Sequence, residues 1–544
     1  MRKRAKLDGM SVHAVTGTHA AVLGFDLTKA KSAGLLGFAI EREDHDEHEK
    51  YFLRAIKVFK ETAPDIARGT TVSTAEHPIQ SFLWNDLTAK PERDYTYRVI
   101  ALGGTPKNLQ PINEVSVRVH MEAEDDARHG VWMNRGVAGS QAYARKFTSA
   151  APADTATAQL AWLGRGLDQA LLGFIKSARA GDSLNGAVYE FHHKPVLDEV
   201  AKAVARGVHV EIVYDAKRND STDKHGVYHE AFPRVKNQSM IDGAQLGPPI
   251  TTAREAGKSY ISHNKFFVLS HGGSPVSVWT GSTNISAGGI YGQANVGHVV
   301  HDRAVAQRYL DYWFQLSGDP TTGALRTWVD ANSPVPTGLP PRGVTTLFSP
   351  RTAAKAPIFL TAAFTVNTKF AEFLQKNRSY LRYLLLESRP RADAAVTMEM
   401  LSGDRDNMIA VGSHLQDVTT LSRFTIERLT GLNSHVNYVH TKFLVVDPLG
   451  KDPIVVTGSA NFSDPSNREN DENMLIIRGD TRVADIYLTE FSRLFQHFYF
   501  RYVSAERAGT PGDKDPSYLA PKPGWAAKYF QPTSRKGRQR LYFR

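Results

Sequence analysis

The stretch Tyr438-Val-His440-Thr-Lys442-Phe-Leu-Val-Val446 decides how this chain is read. Behind it come Asp447, then Gly458-Ser459-Ala460-Asn461, then Glu472. An earlier copy runs Ile261-Ser-His263-Asn-Lys265-Phe-Phe-Val-Leu269, then Gly281-Ser282-Thr283-Asn284, then Asn295. In both copies the lysine follows the histidine by two, and the closing residue follows the asparagine by eleven. A His-x-Lys with a Gly-Ser-x-Asn behind it, met twice in one order, describes a site assembled from two half-sites.

The residue types suit phosphodiester chemistry. Each His-x-Lys opens an apolar run that reads as a buried strand. Side chains at i and i+2 of a strand share a face, so imidazole and ammonium are aimed at one point. An imidazole can attack phosphorus or carry a proton near neutral pH. A lysine supplies fixed positive charge for the extra negative charge of a pentacoordinate phosphorane. The Asn amide adds uncharged donors, and the small Gly-Ser lets the backbone come close. Lysines and amides then do the work of a cation, so neither a metal nor a cofactor is expected.

This pattern resembles the phospholipase D superfamily, whose motif is His-x-Lys, four residues, Asp, then Gly-Ser-x-Asn, twice per active site. His440, Lys442, Asp447, Gly458, Ser459 and Asn461 match it in full. The first copy matches at His263, Lys265, Gly281, Ser282 and Asn284 and departs at Ser270, where the Asp is missing. Tyrosyl-DNA phosphodiesterases of the superfamily also lack that Asp. The resemblance spans roughly the last two-thirds of the chain and implies catalysis by the two His-x-Lys pairs, with Ser282, Ser459, Asn295 and Glu472 in support.

A wider repeat surrounds the motifs. Residues 186–191, 196–204 and 208–214 read as strand, helix, strand, and 358–364, 369–376 and 381–387 read the same way, as parallel crossover units. After each Gly-Ser-x-Asn comes another strand (296–300 and 474–477) and an amphipathic helix (302–316 and 481–498). The aromatics on those helices, Tyr309 and Trp313, Tyr487, Phe491 and Phe495, read as core. The expected fold is therefore α/β, with two pseudo-twofold-related halves over 155–325 and 340–505, mixed sheets flanked by helices. A linker rich in proline, 332–341, joins them.

The first 125 residues carry short apolar runs separated by turns, at 20–27, 35–40, 81–84, 95–102 and 115–119. The segment from Leu87 to Val99, with Pro91, Tyr95 and Tyr97, resembles the tyrosine-corner region of fibronectin type III domains. An all-β immunoglobulin-like sandwich is expected over 1–125, followed by a linker over 126–154. Within it, Glu41–Lys50 holds His45-x-x-His48 among carboxylates; a solvated hairpin tip is the plainer reading than a metal site. His192, His193, His298 and His435 are lone histidines by the same reasoning.

The chain has 544 residues, no cysteine and a net charge of +10. Disulfides and thiol catalysis are excluded. Nothing approaches a run of about 18 apolar residues, and Ser11–Ala20 is too polar for a signal sequence, so an intracellular, cytoplasmic protein is expected. The tail over 506–544 is basic and ends Ser534-Arg-Lys-Gly-Arg-Gln-Arg-Leu-Tyr-Phe-Arg544. Bases mixed with aromatics suit a polyanion, either nucleic acid or an anionic membrane surface.

The functional expectation is a metal-independent phosphodiesterase, foremost a nuclease working through a phosphohistidine in bacterial defence or repair. A phospholipase D or phosphatidyltransferase acting on phospholipid is the alternative, and a catalytically silent nucleic-acid-binding scaffold is a third reading. If Glu472 and Asn295 each orient the histidine of their own half, Glu472 keeps His440 protonated as general acid, and Asn295 leaves His263 neutral as nucleophile.

Overall fold

The computed structural model describes residues 1–67, 69–136, 141–147, 157–255, 260–352, 380–387, 406–412, 438–461, 463–507 and 518–544. The expected strand 358–364, the expected helix 369–376 and His435 lie outside these residues.

Ten strands form the N-terminal part: β1 (Arg2–Leu7), β2 (Met10–Thr16), β3 (Ala21–Leu27), β4 (Gly37–Asp44), β5 (Glu49–Phe52), β6 (Arg54–Ala55), β7 (Val72–Ser73), β8 (Leu83–Asp86), β9 (Asp94–Thr105) and β10 (Asn108–His120). Two antiparallel four-stranded sheets, β1-β2-β3-β8 and β10-β9-β4-β5, face each other. Alternate residues of both enter one core, among them Val12, Leu23 and Phe25 from the first sheet and Phe38, Tyr97 and Val117 from the second. Tyr95 is buried and its hydroxyl accepts the Lys90 N–H at 3.1 Å. The charged cluster at 41–50 is the β4–β5 hairpin, and His45 contacts Thr96 at 2.8 Å.

The expected linker over 126–154 needs correction. It contains β11 (His129–Met133), the edge strand of the next sheet, paired to β19 (Val296–Val300). Its residues 137–140 and 148–154 lie outside the described residues.

The first half is a seven-stranded mixed sheet in the order β11-β19-β18-β17-β12-β13-β16. Its other members are β12 (Ser183–Val188), β13 (His209–Asp215), β16 (Thr251–Arg254), β17 (Lys265–His271) and β18 (Ser274–Gly281). The helix Lys194–Ala205 makes the crossover from β12 to β13, which pair in parallel. A small hairpin, β14 (Ser221–Thr222) and β15 (Tyr228–His229), projects beyond β13. The second half repeats the plan: β20 (Gly343–Ser349), β25 (Glu472–Arg478), β24 (Ile454–Gly458) and β23 (Phe443–Val446) form one sheet, and β21 (Arg382–Leu386) pairs in parallel with β22 (Asn407–Val411). β20 on β25 is the counterpart of β11 on β19, so each half opens with an antiparallel edge strand.

The helices Arg303–Ser317 and Thr481–Arg507 follow the last strand of each half. Asp302 caps the first by accepting the Val305 N–H at 2.9 Å. Tyr309, Tyr312 and Trp313 from one and Tyr487 from the other meet Phe266, Phe348, Phe443 and Leu475 in a core shared by both halves. These aromatics are core, as their helical spacing indicated.

The C-terminal segment also differs from expectation. Trp525, Tyr529 and Phe530 pack onto the sandwich core, and Phe543 is buried with Val15, Val22, Leu83 and Leu488. Arg540 pairs with Asp26, its guanidinium 4.2 Å from the Phe530 ring centre, and Arg538 pairs with Asp406. Of the two aromatics in the basic end, Phe543 is used in packing and Tyr542 stays exposed.

Candidate active site

The two His-x-Lys segments stand at the mouths of β17 and β23, and the two Gly-Ser-x-Asn segments at the ends of β18 and β24. The motif glycine is dictated by close backbone approach. A Cβ on Gly281 would lie 2.3 Å from the Val296 carbonyl oxygen, and one on Gly458 would lie 2.2 Å from that of Asn473. Gly281 also has φ +132°, open to glycine and strained for other residues.

His263 and His440 face each other with ring centres 6.4 Å apart. Lys265 and Lys442 each donate from Nζ to the carbonyl of their own histidine, at 2.6 Å in both halves. Ser282 donates to Asn295 Oδ1 at 2.8 Å, and Ser459 donates to Glu472 Oε2 at 2.6 Å. The amides of Val296 and Asn473 donate back to those serines at 3.1 and 3.0 Å. The same small circuit is thus built twice.

The closing residues cross over. Glu472 holds His263, with Nδ1 2.9 Å from Oε2 and 3.0 Å from Oε1. Asn295 holds His440, with Nδ1 2.9 Å from Oδ1. This overturns the expectation that each orients the histidine of its own half. The cause lies in the backbone: Ser262 bridges Asp471, and Val439 bridges Ala294, both in parallel sense. The His263 N–H donates to the Asp471 carbonyl at 3.0 Å, and the His440 N–H to that of Ala294 at 3.1 Å. Each histidine segment therefore runs beside the closing segment of the opposite half.

The Asn295 amide is fixed, since its Nδ2 donates to the Gly289 carbonyl at 2.7 Å. Its oxygen must face His440, so His440 carries a proton on Nδ1 and presents Nε2. A carboxylate partner gives His263 the same arrangement.

Burial dominates the electrostatics. His263 is held well below its ordinary pKa by desolvation, then by the charges of Lys265 and Lys442. His440 is lowered by desolvation and then by Lys442 and Lys265. The expectation of a resting imidazolium at His440 fails on both counts: its partner is a neutral amide and its neighbours are cations. Desolvation pushes Glu472 up to about 7 and Lys265 down to about 8, and it holds Lys442 well below the usual lysine range. Burial in an enclosed pocket disfavours the charged form of each of these groups.

Asn284 donates from Nδ2 to Glu190 at 2.8 Å, while Asn461 stands at its motif position, half-buried. Asp447 is not at the site. It is exposed, with φ +44°, in the turn beyond β23, and its carbonyl accepts the Gly450 N–H at 2.9 Å. With Leu53, Trp84 and Phe491 it borders a separate apolar cavity of about 1760 Å³, which neither catalytic histidine nor either lysine lines.

Several site residues escaped the motif reading. Asp215 at the end of β13 accepts the Ser262 N–H at 2.7 Å, and Glu387 after β21 accepts the amides of Tyr438 and Val439 at 3.2 and 2.6 Å. Each carboxylate fixes the backbone just before a histidine. Aligning the second strands of the two repeats would have exposed them. Arg254 binds Asp471 at 2.7 Å and Asp319 at 2.8 Å, and the Ser262 hydroxyl donates to Asp471 at 2.9 Å. Glu190 follows β12, and Tyr189 beside it lies 5.0 Å from the His263 ring. His298 contacts His129 at 3.0 Å and the Tyr487 hydroxyl at 2.9 Å, a satisfied core histidine. His192 sits 3.5 Å from Glu190. Among the described residues no cluster of three or more metal-ligating side chains occurs, and no helix is long and apolar enough to cross a membrane.

A family model described as cardiolipin synthase, PLD-like domain, matches residues 171–316 and 393–495. Among solved structures, phosphatidylserine synthase from Haemophilus influenzae is similar at 11% identity, over 62% of this chain and 87% of that one, with a TM-score of 0.41. Yeast tyrosyl-DNA phosphodiesterase is similar at 11% identity, over 55% and 84%, with a TM-score of 0.31. Nuc from Salmonella typhimurium, a phospholipase D family member, is similar at 18% identity, over 35% and 95%, with a TM-score of 0.23. No curated protein matches the chain in sequence. The family match falls on the segments that hold both His-x-Lys pairs, so these segments are similar to a PLD-like domain.

Proposed function

We propose that this chain hydrolyses phosphodiesters through a phosphohistidine and that nucleic acid is its substrate. The observation that carries the chemistry is the pair of opposed histidines, one held by a carboxylate and one by a fixed amide. His263 attacks phosphorus with Nε2. The positive charge that develops on its ring is balanced by Glu472 across Nδ1. Lys265, Lys442, Asn284 and Asn461 hold the phosphoryl oxygens. The substrate anion reverses the field that keeps His440 neutral, so His440 takes a proton on binding and passes it to the leaving oxygen. His440 then removes a proton from water, the water oxygen bonds to phosphorus, and His263 leaves.

Nucleic acid is supported by the net charge of +10 and by Lys217 and Arg218, which follow Asp215, with Lys224 in the turn of the β14–β15 hairpin. A phospholipid reading draws on the same hairpin, which exposes Val227 and Tyr228. The sandwich is proposed as an immunoglobulin-like module, on the strength of its sheet order and the Tyr95–Lys90 tie. The test is to offer single-stranded DNA, duplex DNA, RNA and phosphatidylcholine to purified protein in EDTA. Cleavage of a nucleic acid is the expected result. Turnover of phosphatidylcholine alone would move the assignment to lipid, and no turnover of any would reject the reading.

A further inference from the structure

Glu190 is a carboxylate at the catalytic pocket for which the two-histidine chemistry has no use. It follows the first strand of the first half and is largely buried. Asn284, the last residue of Gly-Ser-x-Asn, donates to it at 2.8 Å, and His192 lies 3.5 Å away. Burial works to raise its pKa, yet His192, Ser286 and Lys265 hold it below the ordinary carboxylate value. It therefore stays ionised, and its charge is felt at His263 and at both lysines.

A charge count gives this a meaning. Two lysines facing a phosphate with no carboxylate near would favour the most highly charged anion. Here two carboxylates, Glu190 and Glu472, stand against the two lysines. Glu472 is committed to His263. Glu190 touches the amide that is to hold a phosphoryl oxygen. A phosphodiester carries one negative charge, whereas a monoester carries nearly two at neutral pH and above. The second charge would face Glu190 inside a low-dielectric pocket, where repulsion is poorly screened.

We propose that Glu190 is a specificity residue that admits singly charged phosphodiesters and turns away doubly charged phosphomonoesters, including the monoester product of the reaction. It also positions Asn284, by taking one amide N–H and leaving the other for substrate. The inference rests on the phosphodiesterase reading above, but its test reads binding alone.

The experiment is calorimetric titration at pH 7 of wild-type protein and E190Q with methyl phosphate and with dimethyl phosphate. Glutamine can still accept from Asn284, so the variant removes charge and keeps the contact. Wild-type protein should bind methyl phosphate no tighter than dimethyl phosphate. E190Q should gain about tenfold or more for methyl phosphate and change by less than about threefold for dimethyl phosphate. A purely structural role would weaken both ligands alike. Equal shifts for the two ligands, or a wild-type preference for methyl phosphate of about tenfold, would overturn the proposal. The wild-type ratio decides the matter even if E190Q does not fold. Diester turnover by the same wild-type sample tests the phosphodiesterase reading separately, and failure of both ligands to bind would overturn both.

Discussion

Glu472 Oε2 lies 2.9 Å from His263 Nδ1, although the two residues belong to opposite halves of the repeat. Each half therefore supplies the residue that holds the other half's histidine. A carboxylate behind an imidazole stabilises the cation formed as Nε2 bonds to phosphorus. The neutral Asn295 behind His440 leaves an acid that parts readily with its proton. H263A should form no covalent adduct. H440A should trap a phosphoryl group on His263 when the leaving group is a nitrophenolate, which needs no protonation. E472A should slow adduct formation by about 10²–10⁴-fold, and N295A should act mainly on adduct hydrolysis. Mass spectrometry and rapid-quench kinetics check this. An adduct on His440 in H263A would reverse the roles.

The rate should follow a narrow bell in pH. Glu472, pushed up to about 7 by burial, is ionised only above that value and can hold His263 only then. Lys265, pushed down to about 8, is charged only below it. The kcat/KM of wild-type protein should therefore rise as Glu472 ionises through about 7 and fall as Lys265, at about 8, and Lys442, also held well below the usual lysine range, lose their charge, since that ratio reports the free enzyme. E472Q should lose the acid limb while keeping the alkaline one. A flat profile between 6 and 9 in the wild-type protein would contradict these assignments.

Sequence and structure agree where spacing alone fixes geometry. The two-residue step from histidine to lysine sets each pair at the mouth of a strand, β17 or β23, with the lysine tied back to the carbonyl of its histidine, and the eleven-residue step finds the closing residues. It cannot say which histidine each closes, because that depends on Ser262 running beside Asp471 and Val439 beside Ala294, contacts between distant segments. Glu190 and Arg254 were illegible for a related reason: a lone charged residue after an apolar run is ordinary. Asp447 fitted its motif by spacing, yet a hairpin turn carries it away from the pocket. The packing of the tail was not legible in its composition, since Phe543 looks alike whether it stacks on bases or fills a core.

Activity should survive chelation. In the proposed mechanism Lys265 and Lys442 supply the charge that a divalent ion gives in metal-dependent phosphodiesterases. Turnover in EDTA within about twofold of the untreated rate is expected. Loss of activity that returns with added Mg²⁺ or Zn²⁺ would reject the mechanism.

The C-terminal strap should be structural. Phe543 is buried against Val15, Val22 and Leu488, so F543A should cost about 3–5 kcal/mol, the usual range for a buried phenylalanine. K536A should change stability by less than about 0.5 kcal/mol, as for a surface position. Denaturant midpoints of the two variants compare them directly, and equal midpoints would show that the strap does not hold the sandwich.

Arg254 and Asp471 make the test of how the halves are locked. Asp471 is fully buried, Arg254 is 2% exposed, and they meet at 2.7 Å across the boundary between the halves. Asp471 also accepts the His263 N–H on its carbonyl, so the pair supports the placement of His263 through the backbone. Removing one partner leaves an uncompensated buried charge, which costs about 3–5 kcal/mol. R254M and D471L should each destabilise by that order, while the double variant should cost much less than their sum, because no charge is left uncompensated. D319N removes only the half-exposed second partner of Arg254 and should cost about 0–1 kcal/mol. If the two single changes add without interaction in a denaturation cycle, the ion pair is not what joins the halves, and the placement of His263 must rest on the Ser262–Asp471 backbone bridge instead.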